Sequence, residues 1–287
     1  MPHPPRLLNA AEADLAYASA QKVVEVHRRL AEWLHEGVTL PEIDGFVAKQ
    51  LEDLDCKSCF LGYRTGSHAA FPSYACLSVN DCVVHGTAGY YTEPGSNRAK
   101  KLTKGDVVKI DIGVKHRGWI GDAAWTYVFG QPTPQVKKLC DSGKESLRRG
   151  VQQLRPGNSY LAFARAVQGH VEGECRFHLI RGLGGHGYGQ TLHAPPFVSN
   201  TVPTYPGEWP DATSPCLPGT LVAVEPMIAI GTGMTTQRQG PGRKTEWPVY
   251  TKDGSLSVHY EHDVLITENG PRVLTAELEE LPDVIEQ

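Results

Sequence analysis

The stretch GDVVKIDIGV at 105–114 sets a carboxylate, Asp111, into a strand-like run of valine and isoleucine. Side chains alternate faces along a strand. Val108, Ile110, Ile112 and Val114 therefore share one face, and Lys109, Asp111 and Gly113 the other. An ionised aspartate inside a fold is costly unless an opposite charge meets it. A turn over 115–118 predicts a hairpin whose return strand, 119–129, carries Asp122 in GWIGDAAW. That turn sets Asp111 and Asp122 directly opposite, where side chains about 4.5–5.5 Å apart interact and like charges repel. Three explanations are open at this point. The pair is solvent-facing, or serves a retaining glycosidase, or is neutralised by divalent cations, two of which can share a bridging carboxylate.

Further acids and imidazoles lie downstream. IRGLGGHGYGQTLHAPP puts His186 among glycines, which allow close backbone approach and positive φ, with His193 seven positions on. LVAVEPM sets Glu225 at the end of an apolar strand, and HYEHDVLIT sets Glu261 in another. Two Asp, one His and two Glu form an oxygen-rich set suited to Mn²⁺, Fe²⁺ or Co²⁺, with Zn²⁺ possible. No cysteine belongs to it, which argues against a structural zinc site.

The remaining chain supplies a scaffold. A capping box, Thr39-Leu40-Pro41-Glu42, opens a helix to about residue 54 after a first helix over 9–36. Strands are expected at 74–84, 106–114 and 119–129. Helices at 135–154 and 159–171 and strands at 176–181, 220–230 and 256–267 repeat that plan, an α+β arrangement in two related halves. Residues 194–219, with seven prolines, and 231–246 read as long loops. A net charge of −4 gives no support for nucleic acid or a membrane surface as partner. Seven cysteines suit reduced thiols in a cytoplasm, CKSC at 56–59 being a coincidental CxxC. No secretion signal or apolar run of about 18 residues stands out.

The chain resembles type I methionine aminopeptidases, metallopeptidases of the pita-bread fold. The resemblance runs over about 10–275 and rests on SVNDCVVHG, GDVVKIDIGV, GDAAW, GGHGYG, LHAPP, VEPM and YEH. It implies one catalytic domain over 1–287, with pseudo-symmetric halves at about 10–130 and 131–275, an antiparallel sheet core and flanking helices. It implies a dinuclear site in which Asp111 chelates one ion, His186 and Glu225 hold the other, and Asp122 and Glu261 bridge. A hydroxide between the ions would attack the scissile carbonyl, Glu225 taking the proton. His193 would stabilise the oxyanion, and His85 would bind substrate near its N-terminus. The implied substrates are N-terminal methionines of peptides and nascent proteins.

Positions matching the family's methionine pocket are Phe71, Cys76 and Trp247. His68 stands where the family often has tyrosine, Leu192 where it has phenylalanine, and Ala194 where an acid follows the second histidine. These departures keep open an exopeptidase of other preference such as Xaa-Pro; a non-catalytic peptide-binding module on the same fold is a lesser alternative, since such descendants lose metal ligands and none is missing here. A cytoplasmic monomer is expected.

Overall fold

The computed structural model describes residues 5–66, 68–239 and 245–286; residues 1–4 of the N-terminal tail and 240–244 of the second expected loop lie outside them. Helix Ala10–Trp33 opens on a capping box. The Asn9 side chain accepts from Glu12 N at 3.0 Å, and the Glu12 carboxylate from Asn9 N at 3.1 Å. Its apolar stripe, including Val24, Leu30 and Leu34, is buried. Helix Leu40–Asp53 starts as its sequence predicts, with the Glu42 carboxylate accepting from Thr39 N at 2.8 Å.

The first helix lies on the hairpin that carries the aspartates. Its Ser19 hydroxyl donates to His116 O at 3.2 Å and Trp119 O at 3.3 Å. Gly121 permits this approach, since a Cβ there would stand 2.5 Å from Ser19 O. Val108, Ile110, Ile112 and Val114 are fully buried beneath the sheet, each contributing roughly 1.5–3 kcal/mol. Lys109, on the other face, is also buried; its ammonium donates to Asn80 O at 2.7 Å.

The hairpin strands are Val107–His116 and Trp119–Phe129, and their register corrects the sequence reading. His116 pairs with Trp119, so the connection has only two residues, Arg117 and Gly118, with φ of 49° and 84°. Both lie in the left-handed region, as the tight turns of twisted hairpins require. The ladder slips by two: Asp111 pairs with Ala124, and Asp122 with Gly113. The aspartates share a face as diagonal neighbours, not opposed ones. Their backbones are therefore farther apart than a directly paired couple.

The second half again begins with two helices, Pro134–Val151 and Tyr160–Gln168, the latter running into a π-helical turn, Gly169–Cys175. Its main sheet has the order Gly270–Val273, His262–Thr267, Leu221–Val224, Gly184–Gly187, Ala194–Ser199, all antiparallel. Three expected strands are shorter or interrupted. The 176–181 run keeps only His178–Leu179. The 220–230 run breaks at Glu225-Pro226, and 256–267 breaks at Tyr260-Glu261. The expected loop 194–219 contains the edge strand Ala194–Ser199, and 231–246 overlaps strands Thr235–Gln239 and Thr245–Thr251.

Candidate metal centre and substrate pocket

The two strand breaks lie side by side. Val224 pairs with His262 before them and Met227 with His259 after them, so the register runs through the gap unchanged. Pro226 cannot donate to a ladder, which opens the sheet where Glu225 and Glu261 face one another. Glu261 N donates to Ala124 O at 2.9 Å, clamping this segment onto the Asp122 strand. Asn200 Nδ2 donates to Glu225 O at 3.1 Å. His186 comes from the Gly184–Gly187 strand. Its flanking glycines serve close approach and not positive φ: a Cβ at Gly185 would stand 2.3 Å from Ala223 O.

These elements bring all five expected ligands to one cavity of about 350 Å³. One ligand atom from each of Asp122, His186 and Glu261 can be chosen so that all lie within 4.8 Å of one another. His186 Nε2 is 3.9 Å from both Asp122 Oδ2 and Glu225 Oε1. His85, His193, Phe71, Cys76, Leu192 and Trp247 line the same cavity. His68 is outside that lining; its ring stacks on Trp247 with centroids 4.4 Å apart. His85 has φ 58°, an uncommon conformation for a residue other than glycine.

No lysine or arginine among the described residues lines this cavity. Burial, reinforced by neighbouring carboxylates, pushes Asp111, Asp122 and Glu261 above the usual carboxylate range, and burial alone does so for Glu225. Burial holds His186 down to about 3 and His85 to about 4, so both imidazoles are neutral at pH 7. Buried oxygens Asp111 Oδ1 and Asp122 Oδ1 have no hydrogen-bond partner. Such a cluster either holds protons or coordinates cations. Four carboxylates with one neutral imidazole match the donor preferences of hard to borderline divalent ions.

The match to known proteins is as broad as this geometry suggests. The model of metallopeptidase family M24 matches residues 15–268. The chain belongs to metallopeptidase family M24. It is 35% identical over 270 residues to the methionine aminopeptidase of Aquifex aeolicus, covering 94% of this chain and 98% of that one. The solved methionine aminopeptidase of Thermotoga maritima shares 29% identity with a TM-score of 0.80, over 95% of this chain and 99% of that chain. The X-Pro aminopeptidase of Thermotoga maritima shares the fold at 18% identity and a TM-score of 0.69, over 98% of this chain and 63% of that chain. The architecture of this M24 metallopeptidase is the α+β pita-bread fold.

Sequence reasoning passed over four side chains at this M24 centre. His259 Nε2 lies 3.1 Å from Glu225 Oε2. Asp263 accepts from Asp122 N at 2.9 Å, and burial raises its own pKa to about 8. Phe60 lines the cavity and packs edge-on against Phe71. Tyr63 also lines it, and its hydroxyl is 2.7 Å from His193 Nδ1. The alternation of HYEHD, which puts 259, 261 and 263 on one side, was the available signal for the first two. Nothing local marked Tyr63. Burial raises the Tyr63 pKa, keeping the phenol protonated. A neutral imidazole that accepts from this phenol at Nδ1 carries its proton on Nε2. Tyr63→Phe should therefore lower kcat by about 2–10-fold, the worth of one neutral hydrogen bond, with little change in KM. Steady-state kinetics of methionine release check this; an unchanged kcat would leave His193 without need of that partner.

Proposed function

We propose that this chain is a methionyl aminopeptidase, acting as a single catalytic domain over 1–287 with halves at about 10–130 and 131–275. The observation that carries the reading is one cavity lined by five candidate ligands, three further imidazoles (His85, His193 and His259) and an apolar wall. Asp111, Asp122, His186, Glu225 and Glu261 would hold two divalent ions, with Mn²⁺, Co²⁺ and Fe²⁺ the best-matched choices and Zn²⁺ compatible. When bound, such ions supply Lewis acidity, polarising a carbonyl and lowering the pKa of water from 15.7 toward about 7.

The chain's own residues do the rest. Glu225, ionised beside the bound ions, takes the proton of the attacking water. His193 donates a hydrogen bond to the oxyanion, and His85 holds the substrate near its N-terminus. Phe71, Cys76, Leu192 and Trp247, joined by Phe60, receive the methionine side chain. Trp247 Nε1 donates to Ala69 O at 3.0 Å, and Phe71 packs edge-on against its indole at 5.2 Å, so this wall is rigid. His68 acts on the pocket through its stack on Trp247.

Peptide and nascent-protein N-termini are the partners of this reading, in the cytoplasm, with the enzyme a monomer that engages neither nucleic acid nor membrane. No helix among the described residues is long and apolar enough to cross a membrane. Methionine release from Met-Ala-Ser peptides, measured with Mn²⁺ or Co²⁺ and after chelation, tests the proposal. Metal-dependent release supports it, and release no higher than in chelated controls defeats it. A second reading, preference for another N-terminal sequence, is motivated by His68, Leu192 and the proline-rich 194–219 segment. Faster turnover of Xaa-Pro than of Met-Ala peptides would select it.

A further inference from the structure

A second cavity, of about 720 Å³, adjoins the first and shares His85, His186, His193 and Glu225 with it. Phe71 and Trp247 line the first cavity and not this one, which leaves it free for the leaving peptide if methionine fills the apolar pocket. Its remaining lining is glycine, alanine, proline and large apolar groups, among them Leu183, Phe197 and Met227, with one exception. That exception is Asp211. It belongs to the proline-rich segment 194–219.

Asp211 lies in a hydrogen-bonded stretch of the segment. Its Oδ2 accepts from Phe197 N at 3.4 Å, Trp209 Nε1 donates to Phe197 O at 3.0 Å, and Leu161 N donates to Ala212 O at 2.8 Å. Among the described residues, no lysine, arginine or histidine nitrogen lies within 4.0 Å of its carboxylate. A half-buried carboxylate set among apolar groups, with no cation of the described residues within 4.0 Å, is complementary to a cation of the ligand.

We infer that Asp211 makes this cavity a subsite for a cationic side chain on the leaving peptide, favouring lysine or arginine beyond the residue that follows methionine. The inference rests on the proposed aminopeptidase reading. An extended peptide advances about 3.3–3.6 Å per residue, so the third or fourth residue of the substrate reaches the outer part of the groove.

The test uses the full-length, metal-loaded enzyme and peptides Met-Ala-Xaa-Ser and Met-Ala-Ser-Xaa, with Xaa lysine, glutamine or glutamate. At one of the two positions kcat/KM should rank lysine above glutamine above glutamate, each step about two- to fivefold, as for a part-exposed charge pair. Asp211→Asn keeps an oxygen for the Phe197 N–H and removes the charge. It should level the series while leaving the glutamine peptides near their wild-type turnover, and Asp211→Lys should reverse the order. Raising the salt concentration should compress the wild-type ranking. Equal discrimination in wild type and Asp211→Asn, or none in wild type, overturns the inference while the aminopeptidase reading stands. Failure to release methionine from every peptide removes that reading, and the inference with it.

Discussion

Asp122→Ala is expected to bring methionine release to background while the protein stays folded. Asp122 meets His186 and Glu261 in the tightest group of donor atoms in the cavity, and its Oδ1 has no protein partner. Its backbone N–H, bonded to Asp263, is retained in alanine. Removing only an outer partner of a metal ligand costs about 10–100-fold in affinity or activity, so removing a ligand itself should cost more. Metal content of the purified variant should fall with activity. Full turnover, or an unchanged metal content with wild-type kinetics, would eliminate Asp122 as a ligand.

The same substitution should act oppositely on the stability of metal-free protein. Burial raises Glu225 to about 8, and burial reinforced by Glu225 raises Asp111 to about 7. Their unfolded values are about 4.3 and 3.9. Between those limits the folded state binds more protons than the unfolded chain, so stability falls as pH rises from about 4 to about 8. Asp122 is itself raised by burial and then by Asp111, Asp263 and Glu225, and alanine removes its share of this pH dependence. Thermal unfolding in chelator at pH 5 and pH 8 should show a smaller pH-dependent loss for Asp122→Ala than for wild type. A variant that loses more than wild type would contradict this electrostatic account.

How much of this was legible in the chain depended on the range of the interaction. Strand alternation located the face of Asp111 without any tertiary knowledge, because a period of two is a local property. The register of its hairpin was not local in the same sense. It turned on whether Lys115 and His116 belong to the turn or to the ladder, and Arg117 at positive φ gives no compositional warning. Glu225 and Glu261 were readable as acids in apolar runs. That the runs break beside each other, which lets the two carboxylates meet, required the pairing of Val224 with His262. Pro195 and Pro196 disguised Ala194–Ser199 as loop, although an edge strand tolerates missing donors. Tyr63 was silent because its partner, His193, is 130 positions away and no spacing rule connects them.

His193→Ala should lower kcat by about 10²–10³, the usual loss for one oxyanion donor. The residue stands at the mouth of the metal-centre cavity, its ring 4.3 Å from that of His186 between centroids, and it also borders the groove of the leaving peptide. Partial burial lowers its pKa, so at pH 7 the imidazole is neutral and has one N–H to give. Tyr63 engages Nδ1, which leaves Nε2 for the substrate. The effect should fall on kcat and not on KM, because the hydrogen bond strengthens as charge develops on the carbonyl oxygen. His193→Gln, which keeps an N–H donor at a similar reach, should recover part of the loss. The double variant with Tyr63→Phe should be no slower than His193→Ala alone, since the phenol acts only through that ring. Additive losses in the double variant would give Tyr63 a separate role, and an unaltered kcat in His193→Ala would take the imidazole out of the reaction.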